Sequence, residues 1–474
     1  MDFFSTTDLI GASPILMLSA FSLIALLMNA AMKNSQKVVF GISVVGIVAA
    51  MLNALYLFPM SATAFSDMIL VGGYASFFDL LFLTIALLTL FLSTSYLEKE
   101  NYHYSEYYVL LLLATVGMMM MGSSADLITM FLGLELMSIC FYILAGFIRS
   151  KQTANEAALK YFLLGAFATG FLLYGIALIY GTTGSTNLIL IARQYPMAFA
   201  QPLHIIGFGL LLIGFGFKVA AVPFHQWVPD VYEGAPTSVT ALMSTGGKAA
   251  AFSAFVLAFS IPMSQHDPRF ISVIAILSAA SMIVGNVLGL AQTNVKRMLA
   301  YSSIAHAGYM LIGIASGMTL GQQGITFYLV SYALTNLGAF GIISILEKED
   351  GKNLSYEEYA GLSTRRPMLA ALLAMFMFSL TGIPPFAGFI GKYFLFSSAV
   401  QAHLTWLAIL GVLTSLISTY YYLRIVIYMY FREGAGEENA TPTLAFAAVA
   451  LSAFGILLFG IFPSLILNAM KALF

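Results

Sequence analysis

Residues 214–238 read "GFGFKVAAVPFHQWVPDVYEGAPTS". They close an apolar run with the length of a membrane helix, yet the run contains Lys218 and is interrupted at Pro223. His225, Trp227, Asp230 and Glu233 follow before the next apolar run begins. A charge at the centre of a membrane helix costs roughly 2.5–3.5 kcal/mol on insertion scales, so a lysine here needs a partner or a purpose.

The rest of the chain is of the same kind. Of 474 residues, 60% are apolar and only 9% are charged, more apolar surface than a water-soluble fold can hide. Apolar runs of about 17–25 residues, each able to cross a hydrocarbon core about 30 Å thick, recur along the whole length. The pattern predicts an all-α polytopic membrane protein of about fourteen transmembrane helices, at roughly 14–32, 38–58, 74–97, 107–123, 125–147, 154–181, 203–222, 236–262, 270–291, 299–317, 323–346, 368–400, 403–430 and 443–462. The longest connections, around 182–202 and 347–367, are about 20 residues, so residues 1–474 are expected to form a single membrane domain. The first span follows "MDFFSTTDLIGASP", which has acids and no lysine, and is expected to stay in the mature protein.

Several chemistries have no residues to support them. The single Cys140 makes neither an intrachain disulfide nor a four-thiolate cluster, and neither GxGxxG after a strand nor GxxxxGK[ST] occurs. No cofactor is therefore expected in this chain. A net charge of −1 without a basic cluster argues against nucleic acid.

The basic residues give the orientation. Numbering the connections between spans, the odd ones carry Lys33, Lys37, Lys99, Arg149, Lys151, Lys296, Arg297, Lys348, Lys352, Arg365, Arg366 and Arg432, whereas the even ones carry only Arg193 and Arg269 and the C-terminal tail Lys471. Lysine and arginine are retained on the cytoplasmic side, so the odd connections are expected to be cytoplasmic and both termini outside. Five basic residues remain within spans: Lys160, Lys218, Lys248, Lys392 and Arg424. Arg424 lies near the end of its span and can snorkel, and is set aside. Lys160, about 9 Å into span 6, can snorkel or pair with a neighbour. Lys248, about 18 Å into span 8, is too deep for that, and Glu135 in "FLGLELMSICF" is a carboxylate at similar depth.

Lys218 and Lys392 both adjoin helix breakers. Pro223 follows the first, and "TGIPPFAGFIG", with Gly382, Pro384, Pro385 and Gly388, precedes the second. Helices 7 and 12 are therefore expected to be discontinuous, and paired breaks in corresponding segments mark the transport site of an inverted repeat. The repeats would be two five-helix units, 107–262 and 270–430. A lysine beside such a break can be hydrated and can exchange a proton near neutral pH. His306, several residues into span 10, extends the file of protonatable groups or is a satisfied packing residue. His225 sits in the amphipathic "VPFHQWVPDVYEGAP", at a proton entry or simply in a solvated turn. His103, His204, His266 and His403 fall at connections or span ends and carry no signal.

Four segments resemble a known family: "NEAALKYFLLGAFATGFLLYGIALIYG" at 155–181, "VPFHQWVPDVYEGAPTSVTALMSTGGKAAAF" at 222–252, "NVKRMLAYSSIAHAGYMLIG" at 294–313 and "GIPPFAGFIGKYFLF" at 382–396. They are similar to the antiporter-like membrane subunits of proton-pumping NADH:quinone oxidoreductase, respiratory complex I. "DVYEGAPT" and "LKYFLLGA" resemble the subunit N branch, the bacterial counterpart of subunit 2, rather than L or M, and a chain ending soon after span 14 leaves no room for the lateral helix expected of L. The resemblance implies proton transport in a bacterial cytoplasmic membrane, coupled to quinone reduction elsewhere in a hetero-oligomer. NADH, FMN, iron-sulfur clusters and quinone would be held by partner subunits. It also implies Glu135 and Lys218 as a charged pair, Lys160 as an extra lysine near it, Lys248 as central relay, His306 as link and Lys392 as terminal group. Two other functions fit part of the pattern: a subunit of a multi-subunit cation/proton antiporter or related membrane-bound hydrogenase-type complex, and a passive scaffold, which leaves the buried lysines unexplained.

The distribution of basic residues makes a direct prediction. Reporter fusions at Phe474 and within 347–367 are expected to report opposite sides of the membrane, and a cytoplasmic Phe474 would refute the expected topology.

Overall fold

The computed structural model describes residues 5–102, 104–198, 201–260, 268–348, 354–434, 441–471 and 473; His103, His266 and Lys352 lie outside them. With no water in the hydrocarbon, backbone donors and acceptors must be satisfied within each segment, and the chain meets that demand with helices. In order these are α1 (Thr6–Gly11), α2 (Ser13–Ala31), α3 (Gln36–Leu57), α4 (Gly73–Lys99), α5 (Glu106–Gly122), α6 (Leu127–Ala145), α7 (Gln152–Thr183), α8 (Leu188–Ala198), α9 (Pro202–Val219) and α10 (Trp227–Gly234). They continue with α11 (Thr237–Leu242), α12 (Lys248–Ser260), α13 (Pro268–Leu290), α14 (Val295–Ala315), α15 (Thr319–Leu346), α16 (Leu362–Arg365), α17 (Pro367–Thr381), α18 (Ala387–Gln401), α19 (Thr405–Phe431), α20 (Thr443–Ile461) and α21 (Ser464–Met470).

Among the described residues twelve helices are long and apolar enough to cross a membrane, one of them the composite 237–259. Two more expected spans, 107–123 and 368–400, coincide with the shorter α5 and with the broken pair α17 and α18. The expectation of helices alone needs one small correction. The connection between α3 and α4 folds as an antiparallel hairpin of β1 (Ser61–Ala64) and β2 (Ile69–Gly72), where Thr63 donates to Asp67 across a turn with positive φ at residues 65–67.

Burial is graded from lipid to centre. Leu27, Leu52, Phe167, Leu416 and Phe454 are exposed on α2, α3, α7, α19 and α20, as side chains facing hydrocarbon should be. By contrast α11, the π-helical turn Met243–Gly247, α14 and α15 are buried almost throughout. Small residues let helices close in: a Cβ on Gly117 of α5 would lie 2.5 Å from the Met137 nitrogen of α6.

Both expected breaks are present, and they end alike. α9 stops at Ala220 (φ 66), where the Ala221 amide donates back to the Gly216 carbonyl at 2.8 Å. α17 stops at Gly382 (φ 89), where the Ile383 amide donates to the Phe378 carbonyl at 3.1 Å. This is the Schellman closure, which satisfies carbonyls that a helix end would otherwise strand in a dry environment. A cis prolyl bond follows each, at Val222–Pro223 and Pro384–Pro385. The chain then re-enters helix at Trp227 and at Ala387.

The two closures differ in one residue, and the difference is measurable. A left-handed alanine costs about 1–2 kcal/mol relative to glycine. Ala220→Gly is therefore expected to raise, and Gly382→Ala to lower, the thermal midpoint of the chain in detergent. A Cβ on Gly382 would also come 3.0 Å from Lys392 Cδ. Equal midpoints for Gly382→Ala and the parent would overturn this account of the break.

Candidate functional site

Lys218, Lys248 and Lys392 are buried, and each has its own set of acceptors. Lys218 lies in the last turn of α9 and is 6% exposed. Its Nζ donates to Ser138 Oγ at 2.6 Å and reaches Tyr142 Oη at 3.5 Å. The rings of Tyr142, Tyr161 and Phe217 surround it at 5.6–5.8 Å, close enough for cation–π attraction. Trp227 stacks on Tyr161 and donates to the Phe217 carbonyl at 3.0 Å, fixing that cage from the start of α10.

The two members of the expected charged pair are not in direct contact. Among the described residues Lys218 and Glu135 form no direct ion pair. The ammonium instead meets Ser138, one turn further along α6, while Glu135 keeps a buried Oε1 with no hydrogen-bond partner. Ser138 and Glu135 are three residues apart on one helix and share a face.

The second group of residues is continuous. Lys248 follows the π turn directly and donates to both the carbonyl and the hydroxyl of Ser303, with the Tyr332 ring 5.4 Å away. Tyr232 and Tyr332 approach Ser303, although the Tyr332 hydroxyl closes no direct hydrogen bond. His306, one turn beyond Ser303 on α14, pairs through Nδ1 with Tyr328 Oη and through Nε2 with Tyr422 Oη, at 3.0 Å in the latter case. Tyr422 in turn meets Ser302. One more turn along α14 is Tyr309, whose ring lies 5.0 Å from Lys392 Nζ. That ammonium donates to Leu380 O and Thr381 O, each at 2.9 Å, and to Ser415 Oγ at 2.7 Å. Ser303, His306 and Tyr309 recur every three residues, which lays them along one face of α14 between the two lysines. Among the described residues no hydrogen bond joins the Lys218 group to the Lys248 group.

Lys160 belongs elsewhere. Its side chain is 41% exposed and pairs with Glu156 at 2.7 Å and Asp230 at 2.8 Å, so of the two possibilities in the sequence it takes the neighbouring carboxylates. Arg297 holds Asp230 at 2.8 Å and Glu233 at 2.7 Å. Burial alone would raise the Asp230 pKa, but the hydrogen bonds from Lys160 and Arg297 outweigh it and hold the carboxyl below its ordinary value. These side chains, with Lys296 and Glu347, line a cavity of about 350 Å³. His225 lies in the turn between α9 and α10, half-buried, with no hydrogen-bond partner at Nδ1 among the described residues.

Sequence reading missed Ser138, Ser303, Tyr328, Tyr332 and Tyr422. Hydroxyls are common in apolar helices, and only a fold shows which of them meet a lysine. It also placed Lys296 in a connection, whereas Lys296 is 2% exposed and lies 4.0 Å from the equally buried Glu347.

Broken helices closed in the same way, and buried lysines on hydroxyl and carbonyl acceptors, define an ion-translocating membrane subunit of the antiporter-like class. The family described as "NADH:quinone oxidoreductase/Mrp antiporter, TM" matches residues 124–418, and the chain belongs to it. It is 47% identical over 471 residues to the NADH-quinone oxidoreductase subunit N of Trichlorobacter lovleyi, covering 98% of this chain and 96% of the relative. To NADH-quinone oxidoreductase subunit N 1 of Chloroherpeton thalassium it is 48% identical over 464 residues, covering 97% of each. Within the family it is thus a member of the subunit N group. A chain of respiratory complex I from Thermus thermophilus superposes with TM-score 0.83 at 36% identity, covering 97% of this chain and 99% of the other. A chain of the Mrp complex from Dietzia superposes at 0.87 with 22% identity, covering 98% and 97%, a likeness of fold alone.

Ser138 is the test of this geometry. With its hydroxyl gone, the ammonium keeps only the longer hydrogen bond to Tyr142 and the surrounding aromatic faces. In matched amounts of assembled complex, Ser138→Ala is expected to slow proton translocation several-fold while NADH-dependent electron transfer to an artificial acceptor is retained. Unchanged translocation would remove Ser138 from the site.

Proposed function

We propose that this chain carries protons across a bacterial cytoplasmic membrane as the subunit N component of an NADH-quinone oxidoreductase. Electron transfer from NADH to quinone, with its flavin and iron-sulfur clusters, would reside in partner subunits of the hetero-oligomer. The observation that carries this is the file along α14, where Ser303, His306 and Tyr309 lie between the ammonium groups of Lys248 and Lys392.

In this reading Lys248, His306 and Lys392 exchange protons in turn, through Ser303 and the tyrosine hydroxyls. Lys392 would be the outer station, at the break where the carbonyls of Leu380 and Thr381 end α17. Lys218 would be the station of the first unit. Its charge is favoured by the negative end of the α9 dipole and steered between Ser138 and Glu135. Lys160, on the exposed ion pairs with Glu156 and Asp230, and His225, in the turn beside α10, would serve proton entry. The two units, 107–262 and 270–430, are proposed as inverted repeats within a fourteen-span topology with both termini outside the cytoplasm. Supporting the repeats are the matching closures at Ala220 and Gly382.

Lys218 tests the proposal most directly. Lys218→Ala leaves a buried carboxylate that can neutralise by taking a proton, and alanine keeps the helix. Lys218→Arg keeps the charge, but guanidinium does not release its proton at accessible pH. Both variants are expected to assemble normally and to lose most proton pumping, together with quinone reductase activity where the two are tightly coupled. Vesicle acidification and NADH oxidation in matched amounts of complex give the answer. Full pumping by Lys218→Arg would reduce its role to a fixed charge, and full pumping by Lys218→Ala would leave it a structural one.

A further inference from the structure

Among the described residues, the buried ion pair of Lys296 and Glu347 makes no hydrogen bond to Ser303, His306 or Tyr309. Lys296 and Glu347 are 2% and 4% exposed, with Nζ 4.0 Å from Oε1. Each also grips the backbone or side chain of a residue beside Pro236. Lys296 donates to the Ala235 carbonyl at 2.9 Å, and Glu347 accepts from the Thr237 hydroxyl. Ala235 is the cap that ends α10, and Thr237 is the first residue of α11. Glu347 is held from behind as well, since Lys99 donates to its backbone carbonyl and, at 3.0 Å, to that of Ser344.

The other side of α10 is held from the same end of α14. Asn294 donates to Glu233 at 3.0 Å, and Arg297 binds Asp230 and Glu233. A helix of eight residues has little tendency to persist by itself, so its position depends on these contacts. Two consequences follow for the file. α10 carries Tyr232, whose hydroxyl approaches Ser303, and α11 runs through the π turn into Lys248, which donates to the same serine. A displacement at Pro236 therefore moves Tyr232 and Lys248 together, relative to a serine fixed on α14.

The geometry points to Lys296 and Glu347 as a positioning pair: they lock the α10–α11 junction so that Lys248 meets Ser303, and they do not themselves carry the transported proton. This rests on Lys248 being a proton station. A displacement of about 1 Å at a reacting group can slow a reaction on the order of a hundredfold, so loss of the lock should be visible in the rate.

The experiment measures proton uptake and NADH oxidation together, across pH, in inverted vesicles with matched amounts of assembled complex. Glu347→Ala is expected to cut proton uptake on the order of tenfold or more. Glu347→Gln, which keeps an acceptor for Thr237, is expected to restore most of it with the parental pH profile. A Gln variant as inactive as Ala, or with a displaced pH profile, would mean that Glu347 exchanges protons and would overturn the positioning role; so would parental uptake in Glu347→Ala. Should Glu347→Ala fail to assemble, Thr237→Val removes the grip on α11 and leaves both charges. Slower uptake there supports the lock, and parental uptake overturns it. Lys248→Ala, measured alongside, keeps the two readings apart: parental uptake in that variant removes Lys248 as a station, whatever the Glu347 variants do.

Discussion

A helix that stops inside a membrane exposes carbonyls with nowhere to go, and this constraint organises the molecule around its two breaks. Part of the demand is met by backbone closure, with Ala221 reaching Gly216 and Ile383 reaching Phe378. At the second break the rest is met by a lysine. Lys392, carried by α18, reaches back across the break to Leu380 and Thr381, so its ammonium sits on the negative end of α17. In the first unit Lys218 lies in the last turn of α9, before the break, and its ammonium turns to Ser138 and Tyr142 of α6. At the second break the cation and the break depend on each other, since the end of α17 offers backbone acceptors that a continuous helix would have spent.

Glycine makes the second arrangement possible. Gly382 adopts φ 89 and stands where a Cβ would crowd the Lys392 stem, so the turn and the path of the side chain depend on the same missing atom. Ala220 at the first break has no such side chain to let past, since Lys218 leaves from the preceding turn, and there an alanine serves despite φ 66. Between Lys248 and Lys392 stands α14, buried along its length, which presents Ser302, Ser303, His306 and Tyr309 to partners on four other helices. A helix so placed gives up lipid contact and takes on hydroxyls and an imidazole. In the membrane interior such groups must be satisfied by neighbours, and Tyr328 and Tyr422 satisfy the imidazole.

Much of this was legible in the sequence because membranes penalise exceptions heavily. A lysine in an apolar run is rare enough to stand out, and Pro223 and the Gly382–Gly388 cluster mark the breaks. What stayed hidden were interactions whose cost is small or whose partners are distant in sequence. Ser138 lies three residues from Glu135 in an apolar helix and looks like packing until α9 brings Lys218 against it. The π turn before Lys248 leaves no signature beyond two glycines, which equally suit a close helix contact. Lys296 was misplaced for a different reason. It stands beside Arg297 at a helix start, where charge is normally solvated, and only the return of Glu347 from the far end of α15 buries it.

The choice of partners bears on why lysine is used at these positions. Lys248 and Lys392 are held by carbonyls and hydroxyls, and Lys218 by a hydroxyl and aromatic faces, with a single carboxylate, Glu135, close by and not bonded. A carboxylate in contact would bind the ammonium tightly in a low-dielectric interior and would be left uncompensated once the proton departed. Hydroxyl acceptors carry no such liability, since a serine or tyrosine that accepts from an ammonium can turn and donate to the amine. On the proposed proton path such a site would retain hydrogen bonds in either protonation state. The half-buried cluster of Lys160, Asp230, Glu233 and Arg297 is built the opposite way, charge directly on charge, as suits contacts that hold a short helix in place.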